Sequence, residues 1–121
     1  MPANLLVIDD SKTTRKFLTF VLKEGGYNVI AAENGIEALE LLSSIDVDMI
    51  ITDLNMPQMD GLEFIRTIRE NDAYQKMPIL LVTTEGEERG EKQGEKAGAT
   101  AYLEKPLEPE SLLSKVKELI I

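Results

Sequence analysis

Five times in 121 residues a short apolar run gives way to a stretch of helical periodicity, and that alternation limits the folds open to the chain. Leu5-Leu6-Val7-Ile8 is an apolar run closed by Asp9-Asp10, which suits a buried strand. Residues 12–24 carry Phe17, Leu18, Val21 and Leu22 at helical spacing and end at Gly25-Gly26. Asn28 to Ala32 reads as a second strand. Asn34 then reads as the N-cap of a helix burying Ile36, Leu39 and Leu42, with Ala38 at its margin. Met49-Ile50-Ile51 forms a third strand running into Asp53. The segment to Gly61 is a loop, because it holds Pro57 and Asp60-Gly61. A third helix follows with Leu62, Ile65 and Ile68 on one face. Ile79 to Val82 is the fourth strand and Ala101 to Leu103 a short fifth. Residues 109–120 form a last helix burying Leu112, Leu113, Val116, Leu119 and Ile120.

Strands that are apolar throughout, alternating with helices, indicate a parallel sheet covered on both faces. The expected architecture is α/β, a doubly wound five-stranded sheet of (βα)5 type. No linker or shift in composition divides it, so residues 1–121 read as a single domain. Residues 85–96 break the pattern, for they contain no apolar side chain. Gly86, Gly90, Gly94 and Gly98 recur every fourth residue, and an interior glycine costs a helix ~1 kcal/mol relative to alanine. A crossover is still required between parallel strands. The expectation is a short or mobile fourth helix. The alternative is that glycines on one face allow close backbone packing.

Charge and absent residue types narrow the chemistry. Lys plus Arg number 13 against 22 Asp plus Glu, a net charge of −9. Such a surface opposes sequence-independent nucleic-acid binding and adhesion to anionic membranes. Without Cys there is no disulfide or thiolate chemistry, and without His there is no imidazole base or ligand. The start, Met1-Pro2-Ala3-Asn4, does not read as a signal peptide, and the longest apolar runs are far too short to span a membrane. A cytoplasmic monomer is the expectation.

Ligands of open parallel sheets lie beyond the carboxyl ends of the strands. There the sequence places Asp9-Asp10, Asp53, Thr83-Thr84 and Lys105. If the first, third, fourth and fifth strands are neighbours in that order, these groups share one rim. Strand-end aspartates can simply cap the following helices, but the four positions Asp10, Asp53, Thr83 and Lys105 together ask for more. Three crowded carboxylates repel unless a cation compensates, and oxygen donors with open positions for water and phosphate suit Mg²⁺.

The acidic pair Asp9-Asp10, the run from Thr52 to Gly61 (TDLNMPQMDG), Thr83-Thr84 and the run from Ala101 to Pro106 (AYLEKP) together resemble the receiver domain of two-component response regulators. The similarity covers the whole chain and is strongest to single-domain members of the chemotaxis type. It implies a flavodoxin-like sheet of order 2-1-3-4-5 and phosphorelay signalling rather than classical enzymatic turnover. It further implies that Asp53 is the phosphoacceptor, forming an acyl phosphate. Mg²⁺ would be held by Asp10, Asp53 and the Asn55 carbonyl, with Asp9 acting directly or through water. Lys105 and Thr83 would contact the phosphoryl oxygens, and Tyr102 would turn inward as the threonine moves. Asn55 and Glu85 would tune hydrolysis, and Thr84 stands where the family prefers a smaller side chain. Lys105-Pro106 would be cis. The donor would be a histidine kinase or a small acyl phosphate, since the chain lacks His. A target would bind the face of the fourth helix, fifth strand and fifth helix. Here the fourth helix offers Glu91 and Lys92 in place of apolar residues, which speaks against a flagellar-motor target.

Other readings fit less well. A haloacid-dehalogenase-type phosphatase wants an acid where Asn55 stands, and a larger chain with a cap. A flavin binder wants a phosphate loop, and an acidic rim would repel its ligand. A calcium loop opening at Asp53 fails at Pro57 and Gln58. A receiver-like interaction module that works without phosphorylation remains the alternative.

Overall fold

The computed structural model describes residues 2–83 and 88–120, with side chains for all of these except 88–91. Strands β1 (Asn4–Ile8), β2 (Asn28–Ala32), β3 (Met49–Asp53), β4 (Ile79–Thr83) and β5 (Ala101–Glu104) alternate with helices. The helices are α1 (Lys12–Glu24), α2 (Gly35–Leu42), α3 (Gly61–Arg69), α4 (Glu88–Ala97) and α5 (Pro109–Leu119). A 3₁₀ turn, Asp72–Tyr74, follows α3. The sheet is parallel throughout, in the expected order β2-β1-β3-β4-β5.

Alternation along the strands divides the apolar residues into two cores. Leu6, Ile8, Ile50, Ile79 and Leu81 face α2, α3 and α4, joining Ala38, Leu42, Phe64, Ile65, Ile68 and Ala97. Leu5, Val7, Met49, Ile51, Leu80 and Val82 face the other way, against Leu18, Val21, Leu22, Leu112 and Val116 of α1 and α5. Every residue of β3 and β4 is buried, which explains why those strands read as unbroken apolar runs. The edge strands β2 and β5 are only partly covered.

Helix starts follow the local chemistry. Ser11, Asn34 and Asp60 each accept a hydrogen bond from the backbone N–H three residues on, at 3.2, 2.8 and 2.9 Å. Asn34 is thus the N-cap the sequence indicated. The buried stripe of α2 differs from expectation. It runs through Gly35, Ala38 and Leu42, while Ile36 is 45% exposed and Leu39 only half-buried. Gly35 lies close against Met59, where a Cβ would stand 2.8 Å from the Met59 Sδ, so this face of the helix packs inward without an apolar side chain at its first position. In α5, Leu113, Leu119 and Ile120 are likewise half-buried, with Leu112 and Val116 at the core.

Helix α4 is not short. Its ten residues exceed α2 and α3 in length. Close approach replaces apolar side chains: a Cβ on Gly94 would stand 2.5 Å from the Leu81 Cδ2, and Gly94 and Ala97 are buried. The helix ends in a Schellman turn at Gly98 (φ +112), with Ala99 N–H donating to the Gly94 carbonyl at 2.9 Å. Arg69 then braces that end. Its Nε donates to the Gly98 carbonyl at 3.0 Å, its Nη1 to the Tyr74 carbonyl, and its Nη2 to Thr100 Oγ1 at 3.4 Å.

Candidate functional site

Strand order reverses between β2-β1 and β3-β4-β5, so a crevice opens beyond the carboxyl ends of β1 and β3. The register makes that rim polar. Ile8 pairs with Thr52 and Thr83 with Glu104, so Asp9 and Lys105 follow directly on matched rungs. The Lys105 N–H donates to the Thr83 carbonyl at 2.7 Å, which fixes the start of the last connection against β4.

Carboxylate oxygens of Asp9, Asp10 and Asp53 lie within 4.8 Å of one another. Asp9 and Asp53 are buried and Asp10 is exposed. The Lys105 Nζ stands 3.4 Å from Asp53 Oδ1 and 3.6 Å from Asp9 Oδ2. One ammonium pairs with two of the three clustered carboxylates, which leaves the cluster with excess negative charge. Burial raises the Asp53 carboxyl from 3.8 to about 6, the negative charge of Asp9 adds to the rise, and Lys105 opposes both. Desolvation outweighs the lysine because Asp53 is enclosed at the strand end, whereas Lys105 is partly in water. An all-oxygen donor set with excess negative charge suits a hard divalent cation.

Residues whose contacts with the site come from the tertiary fold support these groups. The Ser11 N–H donates to Asp9 Oδ1 at 2.9 Å, and Arg15 Nη1 donates to the Asp9 carbonyl at 2.7 Å. Gly61 lets α3 press against the site strand. A Cβ there would overlap the Asp53 carbonyl oxygen and stand 3.0 Å from the Leu54 Cα. The pair Asp60-Gly61 was visible as a turn signal, but its contact with Asp53 comes from the topology.

The remaining candidates divide clearly. Thr83 is buried at the end of β4, and Asn55 is exposed on the loop after Asp53. The Lys105-Pro106 peptide is cis. Tyr102 is half-exposed on β5 and borders a pocket of about 270 Å³ lined by Leu81, Gly94, Glu95 and Thr100. Thr84 and Glu85 lie outside the described residues, as does the side chain of Glu91.

The model of the response regulator receiver domain matches residues 5–117. The chain belongs to that family. The receiver is 42% identical over 118 residues to a chemotaxis protein CheY homolog of Campylobacter jejuni, covering 96% of this chain and 91% of the relative. It is 38% identical to chemotaxis protein CheY1 of Helicobacter pylori, covering 96% and 95%. Among solved structures it resembles the chemotaxis response regulator CheY4 of Vibrio cholerae, with TM-score 0.93, 38% identity and coverage of 98% and 99%. A putative response regulator from Chloroflexus aurantiacus superposes with TM-score 0.97 at 35% identity, covering 99% and 98%. The parallel sheet and the two-component signalling class are those the resemblance implied. Among the described residues, no helix of the receiver is long and apolar enough to cross a membrane.

Proposed function

We propose that the receiver accepts a phosphoryl group on Asp53 and works as a single-domain, chemotaxis-type response regulator. The observation that carries this is the setting of the Asp53 carboxylate, 3.4 Å from Lys105 Nζ and inside a cluster with Asp9 and Asp10. An Asp53 oxygen attacks phosphorus of a kinase phosphohistidine. The P–N bond breaks as the P–O bond forms, and its electron pair returns to the imidazole nitrogen, which takes up a proton. A small acyl phosphate serves in the same way, releasing its carboxylate.

Asp10, Asp53 and the Asn55 carbonyl would hold Mg²⁺, with Asp9 binding directly or through water. When bound, the ion neutralises charge on the phosphoryl oxygens and the crowded carboxylates. Lys105 neutralises a further oxygen, and the Thr83 hydroxyl donates to another once the group is in place. Because a carboxylate is a weak nucleophile, positioning and charge neutralisation supply the acceleration. The added charge of about −1.5 to −2 draws Thr83 and Lys105 toward Asp53. Tyr102 follows toward the space the threonine leaves, and the face of α4, β5 and α5 changes for a target protein. Asn55, Thr84 and Glu85 set how fast the acyl phosphate is lost. The receiver acts in the cytoplasm as a monomer.

Incubation with acetyl phosphate and Mg²⁺, followed by intact-mass measurement, tests the reading. The expected result is a gain of roughly 80 Da, one phosphoryl group, that is absent in Asp53→Ala. No gain from acetyl phosphate or any phosphohistidine donor, or a gain that persists in Asp53→Ala, would leave the phosphorylation-independent module as the better description.

A further inference from the structure

The chain has five methionines and no cysteine, so oxidation at sulfur can fall only on thioethers. Among the described methionines, Met49 and Met56 are buried, whereas Met59 and Met77 are half-buried and reach solvent. Met77 precedes β4 at the amino end of the sheet, away from the Asp53 rim. Met59 belongs to the loop of residues 54–60, which follows Asp53 and carries Asn55.

That loop takes a strained path. Gln58 has φ +69, a left-handed value uncommon for any residue but glycine. Around it the Met59 N–H donates to the Pro57 carbonyl at 2.7 Å, closing a three-residue turn of the rare form. Such a conformation persists only where its surroundings over-determine it. Two thioethers supply the constraint. Met56 is sunk into the core, and Met59 lies along the buried Gly35 at the start of α2. A Cβ on Gly35 would stand 2.8 Å from the Met59 Sδ, 3.1 Å from its Cγ and 3.4 Å from its Cβ, so the whole side chain follows the helix start.

We propose that Met59 is an oxidant-sensitive latch, whose conversion to the sulfoxide by a peroxide releases the loop of residues 54–60 from α2. A sulfur lone pair attacks one peroxide oxygen, and the O–O bond breaks as the S–O bond forms. Sulfur gives up two electrons, and the departing hydroxide takes the proton of the transferred hydroxyl and leaves as water. The new oxygen is polar and bonded to the atom nearest Gly35, where no space remains for it. The side chain must lift, and the turn at Gln58 loses a contact that holds it. Asn55 moves with the loop. Methionine sulfoxide reductases restore the thioether, which makes the change reversible. Neither the contact nor the oxidation requires phosphate on Asp53.

The test treats the intact, isotope-labelled chain with hydrogen peroxide, maps sulfoxides by peptide mass and follows amide shifts. Met59 should oxidise at least about fivefold faster than Met56, its neighbour on the same loop. Amides of residues 34–37 and 54–61 should shift as it does, and a methionine sulfoxide reductase should return them. Met59→Leu should remove those shifts although Met77 still oxidises, and Met59→Gln should reproduce them without peroxide. The map and shifts of the wild-type chain decide even where a variant fails to fold. Oxidation of Met59 no faster than that of Met56 would overturn the proposal. So would an oxidised Met59 with those amides unmoved, or the same shifts in peroxide-treated Met59→Leu.

Discussion

The Asp53 carboxyl is enclosed at the end of β3, and its pKa rises from 3.8 to about 6 because burial and Asp9 outweigh Lys105. The folded state therefore binds a proton more tightly than the unfolded chain does. Without a divalent ion, this group's contribution makes stability fall as pH rises from about 4 to about 6, and the penalty is then constant. The gap between 3.8 and about 6 corresponds to roughly 3 kcal/mol. Asp53→Asn in EDTA should accordingly raise the urea midpoint at pH 7 and change it much less at pH 4. Equal effects at both pH values would show that charge burial is not the cause. Gly61 is constrained by contact with the same residue. Gly61→Ala should cost about 1–3 kcal/mol by chemical denaturation, since the neighbouring atoms are backbone and cannot swing aside. The strand-end groups Asp9, Asp53, Thr83 and Lys105 were legible because Asp9 and Thr83 close apolar runs directly and Asp53 and Lys105 follow one polar residue later. Ser11, Arg15 and Gly61 were not, because their roles are hydrogen bonds and a close approach that the chain's path creates.

At the scale of elements, β3 and β4 could be read directly because both faces are buried, and α1, α3 and α5 because their apolar stripes repeat every three or four residues. Helix α2 was read with a misplaced face, for Gly35 against Met59 leaves no apolar mark in the sequence. Helix α4 was underestimated for a related reason. A helix that packs through Gly94 and Ala97 buries little side chain and looks polar throughout. Its packing is real but thin, and opening free energies track the apolar contact that must be broken. Hydrogen exchange should show the amides of residues 92–97 markedly less protected than those of 112–119 in α5. Equal protection would mean that close backbone packing makes up fully for the missing side chains.

Across the whole molecule, a cation held at the acidic rim would couple to the stability of both cores, because β1 and β3 send residues into each. Adding Mg²⁺ should raise the thermal midpoint in a saturable way, by the equivalent of about 2.7 kcal/mol at a hundredfold excess over Kd. Asp10→Asn should shift the titration to higher Mg²⁺ with little change in the metal-free midpoint, since Asp10 is exposed. A midpoint that responds equally to Na⁺ at matched ionic strength would point to screening instead. The brace at Arg69 works on this larger scale too. It ties the last turn of α3, the 3₁₀ turn and the Gly98 end of α4 into one fixed point. An element pinned at one end behaves as a lever about that pin. Ten residues of helix give an arm of about 15 Å. A tilt of about 10° would then carry the Glu88 end by roughly 2–3 Å while the Gly98 end keeps its place.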